Sequence, residues 1–240
     1  ALGSDGKRAG GQENLTAQQL AAYKDKMKGQ RCFILGHYSA KLDELNGLMN
    51  EHAFACNEFC DYFQKTPQRP EFFVLTKESS YLGNGKYIEG MECFIDGRIK
   101  VFEDKFKKKP TYFNGLGAGL INGLPSFQSA ETVFATANMF PMYAMIQLAL
   151  YMGFSEIYLY GWDGLFPLNI DDNGAARTPA EGEAADYPAG AKALMEQVRK
   201  FAESSGSRLL SMCETNGLSC FEKVPFESVD LSTSAIFGRI

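Results

Sequence analysis

Short apolar runs alternate with amphipathic stretches along most of the chain, and the length and period of each predict an element. From Leu15 the spacing of Leu20, Tyr23 and Met27 predicts a helix with Thr16 as its N-cap and Gly29 as its end. Arg31–Leu35 (RCFIL) reads as a strand that stops at Gly36, and Leu42, Leu45 and Leu48 restore helical spacing over Lys41–Met49. A second short apolar run covers Ala53–Cys56, a polar and aromatic turn region Asn57–Phe63, and a strong strand Glu71–Thr76 (EFFVLT). Ile88–Phe94 and Ile99–Phe102 read as two further strands joined by a hairpin-like turn at Asp96-Gly97.

The second half is more regular. Thr136–Met152 is apolar nearly all round, the pattern of a helix buried against a sheet, and Gly153 closes it. Glu156–Tyr160 (EIYLY) follows as a central strand running into Gly161-Trp162-Asp163-Gly164. Ala189–Ala202 has amphipathic helical spacing, Arg208–Met212 reads as a strand, and Phe221–Ile240 as a packed tail with Val224, Phe226 and Val229 turned inward. This alternation predicts an α/β fold: a Rossmann-like three-layer α/β/α sandwich with a mainly parallel sheet. Residues 1–14 read as a disordered or extraneous tail, and 15–240 as a single domain. The polar stretch of about 165–188 is too long for an ordinary connection and reads as a lid.

Composition narrows the classes. The chain has 240 residues, 45% of them hydrophobic, and no apolar stretch reaches the roughly 18 residues of a membrane span. At most, peripheral membrane contact is expected. Twenty-four basic against 29 acidic residues, a net charge of −5, argue against nucleic acid as a partner. The densest basic run, Lys105 with Lys107, Lys108 and Lys109, lies beside Glu103 and Asp104 and reads as a solvated segment. Six cysteines without a CxxC pair fit buried thiols, and two histidines, His37 and His52, offer no metal-binding spacing. The Gly-rich start lacks a hydrophobic signal region, and a cytoplasmic protein is the expectation. Gly115-x-Gly117-x-Gly119 lacks the third glycine of a dinucleotide fingerprint at the required spacing and reads as a mobile loop.

Candidate chemistry sits at strand ends, where open α/β sheets bind ligands. Gly36-His37-Tyr38-Ser39 follows the first strand, and a glycine there allows backbone to approach a phosphate near the start of the next helix. Gly161, Trp162 and Asp163 follow the late strand, where Tyr158, Tyr160 and Trp162 could desolvate Asp163 and hold a planar ring; core packing is the competing role for these aromatics. Asn57 and Thr76 close two further strands, and Asn57 could contact a sugar or base or simply form a turn.

These residues resemble a family. Arg31–Phe59 (RCFILGHYSAKLDELNGLMNEHAFACNEF) resembles the opening strand, GxGPSL-type loop, helix and Asn-containing strand end of the bacterial sialyltransferases of glycosyltransferase family 42 and the related DUF115, MptE-like proteins. Ala149–Asp163 (ALYMGFSEIYLYGWD) is similar to their LAxxMGFxEIYLxGxD segment, and Lys192–Val229 to the helix, strand and closing segment of the shared domain. The resemblance implies a fold of the glycosyltransferase A variant type that binds a nucleotide sugar, CMP-linked in the sialyltransferases, as substrate, with no metal or other cofactor. A glycan or glycoconjugate hydroxyl would be the acceptor, and a homo-oligomer is possible. Carried across, the nucleotide would meet Gly36, His37, Ser39, Asn57, Thr76, Gly161, Trp162 and Asp163. No Asp-x-Asp motif is present, in keeping with metal independence.

The chain also departs from that pattern. Its first loop, GHYSAK, lacks the Gly-Pro-Ser core; His37 and Thr76 replace asparagines; and Phe140-Pro141 replaces the hydroxyl residue before the long helix. No histidine follows His52, so the lid base of the sialyltransferases is missing and Asp186-Tyr187-Pro188 takes its place, with Asp186 a substitute base. Two further readings follow: a nucleotide- or glycan-binding scaffold that has lost catalysis, and a pyrophosphokinase of the MptE-like kind. The latter would need Mg²⁺ on clustered carboxylates, for which only Asp171 and Asp172 offer themselves.

Overall fold

The computed structural model describes residues 18–37, 39–113, 120–134, 139–162, 169–170, 176–177, 189–213 and 220–231. Eight strands form one sheet: β1 (Arg31–Leu35), β2 (Ala53–Cys56), β3 (Phe72–Leu75), β4 (Glu92–Ile95), β5 (Thr111–Tyr112), β6 (Glu156–Tyr160), β9 (Arg208–Ser211) and β10 (Glu222–Lys223). Their order is β10-β9-β6-β1-β2-β3-β4-β5, and every neighbouring pair is parallel. Two-residue strands β7 (Asn169–Ile170) and β8 (Ala176–Arg177), inside the expected lid, pair antiparallel to each other. The α/β expectation therefore holds.

A parallel sheet needs cover on both faces, and the strands are accordingly apolar on both. Cys32, Ile34, Phe54, Phe72 and Phe94 point into one core with the helices α3 (Phe127–Phe134), α4 (Phe140–Tyr151) and α5 (Ala189–Ser204). Phe33, Leu35, Ala55, Phe73 and Leu75 point into the other. There they meet α1 (Leu42–Gly47), a 3-10 helix at Asn57–Gln64, α2 (Glu78–Ile88) and the tail through Val224, Phe226 and Val229. α4 is buried at every position from Phe140 to Ala149, which accounts for its lack of a polar face. It starts later than its apolar pattern, with Pro141 in the first turn, where the missing N–H has no helical partner to lose.

Three expectations change. The helix predicted from Leu15 is helical at 18–21 and then becomes a chain of tight turns ending at Gly29. The N–H groups of Asp25, Met27 and Gly29 donate to the carbonyls of Tyr151, Met152 and Gly153 at 3.1, 2.8 and 3.1 Å. Those carbonyls lie at the end of α4, where helical partners run out, so tertiary pairing displaces local helix. Its predicted N-cap, Thr16, lies outside the described residues.

The hairpin at Asp96-Gly97 is also replaced. β4 ends at Ile95, its parallel partners are β3 and β5, and Ile99–Phe102 is not a strand. The buried Asp96 carboxylate accepts the Arg98 N–H at 3.0 Å and the Arg98 guanidinium, turning the chain away from the sheet instead of back along β4. α2 went unread because Gly83, Asn84 and Gly85 lie within it and oppose helix by propensity.

Leu148 in α4 is fully buried, whereas Leu82 on α2 is 68% exposed. Leu148→Ala is expected to cost about 2–5 kcal/mol and Leu82→Ala no more than about 0.5 kcal/mol. Urea denaturation midpoints at matched slope check the contrast.

Candidate functional site

In sheet order, β1 is the turning point: the chain runs from it through β2 to β5 on one side and resumes at β6 on the other. The carboxyl ends of β1 and β6 are therefore the topological switch point, the expected crevice of an open α/β sheet. Gly36 and Gly161 lie there and meet backbone to backbone. A Cβ on Gly36 would fall 2.5 Å from the Gly161 carbonyl oxygen, and one on Gly161 equally close to the Gly36 oxygen. Gly161 also has a φ of +74°. This mutual approach requires both glycines without any ligand.

Trp162 is 3% exposed, and its Nε1–H donates to the Ile34 carbonyl at 2.9 Å. Its ring belongs to the core under the crevice, the packing role weighed against ring stacking. The loop after β1 is held by two tyrosines. Tyr160 accepts the Lys41 N–H at 2.8 Å and donates to Glu44 at 2.6 Å, while Tyr62 Oη lies 3.2 and 3.1 Å from the carbonyls of His37 and Ala40. Ser39 N–H donates to the Gly161 carbonyl at 3.3 Å. Burial, reinforced by Glu44, raises the Tyr160 phenol well above its ordinary range.

Asn57 and Thr76 come together at the ends of β2 and β3. Asn57 is 1% exposed and in the left-handed region at φ 41°. Its Oδ1 accepts the N–H groups of Thr76 and Lys77 at 2.9 and 3.2 Å, and its Nδ2 donates to Thr76 Oγ1 at 2.7 Å. The amide thus organises the edge. Beside it Lys77 pairs with Glu58 at 2.7 Å, and the half-buried His37 lies within the fields of Glu58, Lys77 and Asp61. Desolvation lowers the His37 pKa, with Lys77 adding to the effect and the two carboxylates opposing it.

Sequence reasoning missed two parts of this edge. One is the Asp96, Arg98 and Glu131 cluster beyond β4, with Arg98 Nη1 2.8 Å from Glu131; its signal was an Asp directly after a strand. The other is a cavity of about 270 Å³ at the ends of β6, β9 and β10, lined by Lys41, Glu44, Tyr160, Ser211, Phe226 and Glu227 among others. Two carboxylates, the lysines Lys41 and Lys223, hydroxyls and the rings of Tyr160 and Phe226 suit a small polyhydroxylated molecule. Lys41 and Tyr160 join this cavity to the loop after β1.

His52 lies at the opposite end of the sheet, between Glu71 and Gln30. Burial raises the thiols of Cys56 and Cys60, the latter to about 12, so neither is a thiolate at neutral pH. Among the described residues no three His, Cys, Asp or Glu side chains cluster as a metal site. Asp163, Asp171, Asp172, Asp186 and Tyr187 lie outside the described residues, as do Tyr38 and 114–119 of the glycine-rich loop. No protein-family model, curated protein or solved structure matches the chain.

Asn57→Ala leaves two backbone N–H groups without their acceptor and puts alanine, which tolerates the left-handed region less well than asparagine, at positive φ, and is expected to cost about 2–4 kcal/mol. Asn57→Gly, which relieves only the backbone conformation, should be about 1 kcal/mol less damaging in the same denaturation assay. For His37, the unfolded chain binds a proton near pH ~6.5 while the folded chain resists to lower pH. Its contribution is therefore complete above that value and falls as the pH drops below it. His37→Gln should flatten the stability profile in that window, and an NMR titration of the ring should give a depressed midpoint.

Proposed function

We propose that the protein is a nucleotide-sugar-dependent glycosyltransferase, with a CMP-linked sugar as donor and a glycan hydroxyl as acceptor, working without a resident metal. The observation that carries this reading is the switch-point edge. It collects His37, Ser39, Thr76 and Lys77 from the ends of β1 and β3 beside a cavity suited to a sugar. The sequence resemblance supplies the reaction class.

In this reading the nucleotide lies along the ends of β1 to β3. Lys77, at the end of β3, faces the phosphate charge that develops on departure. Asn57 touches no substrate; it positions Thr76 and Lys77 through its amide. Asp186 takes the proton of the acceptor hydroxyl as that oxygen bonds to the anomeric carbon. The bond from that carbon to the phosphate oxygen breaks, and the nucleotide leaves with the electron pair. Asp163, next in sequence to Trp162, is assigned to the nucleotide.

One observation favours a second reading, a binding scaffold of the same fold. Gly36 and Gly161 fill each other's space, and Trp162 is occupied by Ile34, so the crevice between β1 and β6 is narrow at its base.

Thermal stabilisation by CMP, CDP, UDP, GDP and ATP, each with and without Mg²⁺, separates the readings. A ligand at a hundred times its Kd adds about 2.7 kcal/mol. The expected result is a metal-independent rise with a cytidine nucleotide and transfer activity that Asp186→Asn removes. Binding without transfer supports the scaffold, an Mg²⁺-dependent rise with ATP supports pyrophosphate transfer, and silence with all five overturns the nucleotide assignment.

A further inference from the structure

The connection between β4 and β5 carries six cationic side chains against two carboxylates from Arg98 to Lys109. Arg98 is held by Asp96 and Glu131, and Lys108 reaches Glu92 at 2.8 Å. Lys100, Lys105, Lys107 and Lys109 are exposed and form no ion pair among the described residues. Glu103 and Asp104 offset part of this charge and leave an excess of four cations from Arg98 to Lys109, although the whole chain is acidic.

The same flank holds the two most exposed large apolar side chains among the described residues, Leu82 at 68% and Phe102 at 57%. Tyr81 joins their segments: it accepts the Phe102 N–H at 3.3 Å, and its ring lies 6.4 Å from that of Phe102 and stacks on Phe106 at 5.8 Å. Lys107 N–H donates to the Glu89 carbonyl at 2.9 Å, tying the connection to the end of α2. Lys105 Nζ lies 4.6 Å from the centre of the Phe102 ring. Phe102 thus protrudes beside Lys105 on a connection anchored to α2, and Leu82 protrudes from α2 at the position after Tyr81.

We propose that this flank docks on an anionic lipid surface, with Phe102 and Leu82 entering the interfacial layer and the surrounding lysines facing head-group phosphates. Three features favour lipid over an acidic protein. The apolar side chains project instead of lining a groove, which suits a soft, unstructured partner. The unpaired cations are all lysines, point charges on flexible stems that match a fluid array of phosphates and lack the planar fork that reads one fixed carboxylate. An aromatic ring beside a lysine ammonium also provides the mixed apolar and cationic character of an interfacial anchor. Attachment of this kind is reversible and weakens with salt.

Sedimentation of the full chain with vesicles of pure phosphatidylcholine, and with vesicles containing added phosphatidylserine, tests the proposal. Binding is expected only to the anionic vesicles, with release at high salt. Each of Lys100→Gln, Lys105→Gln, Lys107→Gln and Lys109→Gln should lower the partition coefficient about fivefold. Phe102→Ser combined with Leu82→Ser should lower it about tenfold or more. These are surface changes, so an unaltered melting temperature verifies that the variants are folded. Absence of binding to anionic vesicles, equal binding to neutral ones, or binding indifferent to these variants would overturn it. So would saturable capture of polyglutamate that displaces the vesicles.

Discussion

Five residues of β1 lie in register with five of β6, from Arg31 opposite Glu156 to Leu35 opposite Tyr160. This ladder alone joins the two halves of the eight-stranded sheet, one reached by running forward from β1 and the other by returning to its far side. Both strands are buried, so their backbone groups have no access to water and must find each other. The pairing continues past the strand ends, where the Gly36 N–H donates to the Tyr160 carbonyl at 2.7 Å. The glycine contact, the tyrosine-pinned loop and the cavity beside it all follow from that junction.

The strands were legible because a buried parallel strand must be short and apolar on both faces, and RCFIL, EFFVLT and EIYLY meet that requirement without help from distant residues. α4 was legible for the same reason. What failed was decided at long range or masked locally. The segment at 22–29 gives its N–H groups to the end of α4, and the glycines of α2 hide a helix that tertiary packing enforces. The supposed hairpin was undone by Asp96, whose partner Arg98 is close in sequence but whose burial depends on the whole edge.

The strand-end rule places Gly36, His37, Asn57, Thr76 and Gly161 just past the carboxyl ends of strands, and they lie there, since such an end can be read from where its apolar run stops. Their roles could not be read in the same way. Asn57 has the polarity of a ligand contact, yet its partners lie 19 and 20 residues away and use its whole amide oxygen. Trp162 resembles a ring platform until its indole is found bonded to a strand 128 residues distant. The cavity needed the tail, whose Phe226 approaches Tyr160 with ring centres 5.5 Å apart, a contact that no local pattern encodes.

The margins of the sheet have a consequence for solubility. β5 and β10 are only two residues each; β5 follows directly on Pro110, and β10 is the exposed pair Glu222-Lys223, with Arg208 bridging to Glu222 at 2.9 Å. A proline interrupts donor groups, and charged, abbreviated margins give a foreign strand almost no template. The sheet can therefore reach eight strands in width without inviting the edge-to-edge growth by which broad sheets polymerise.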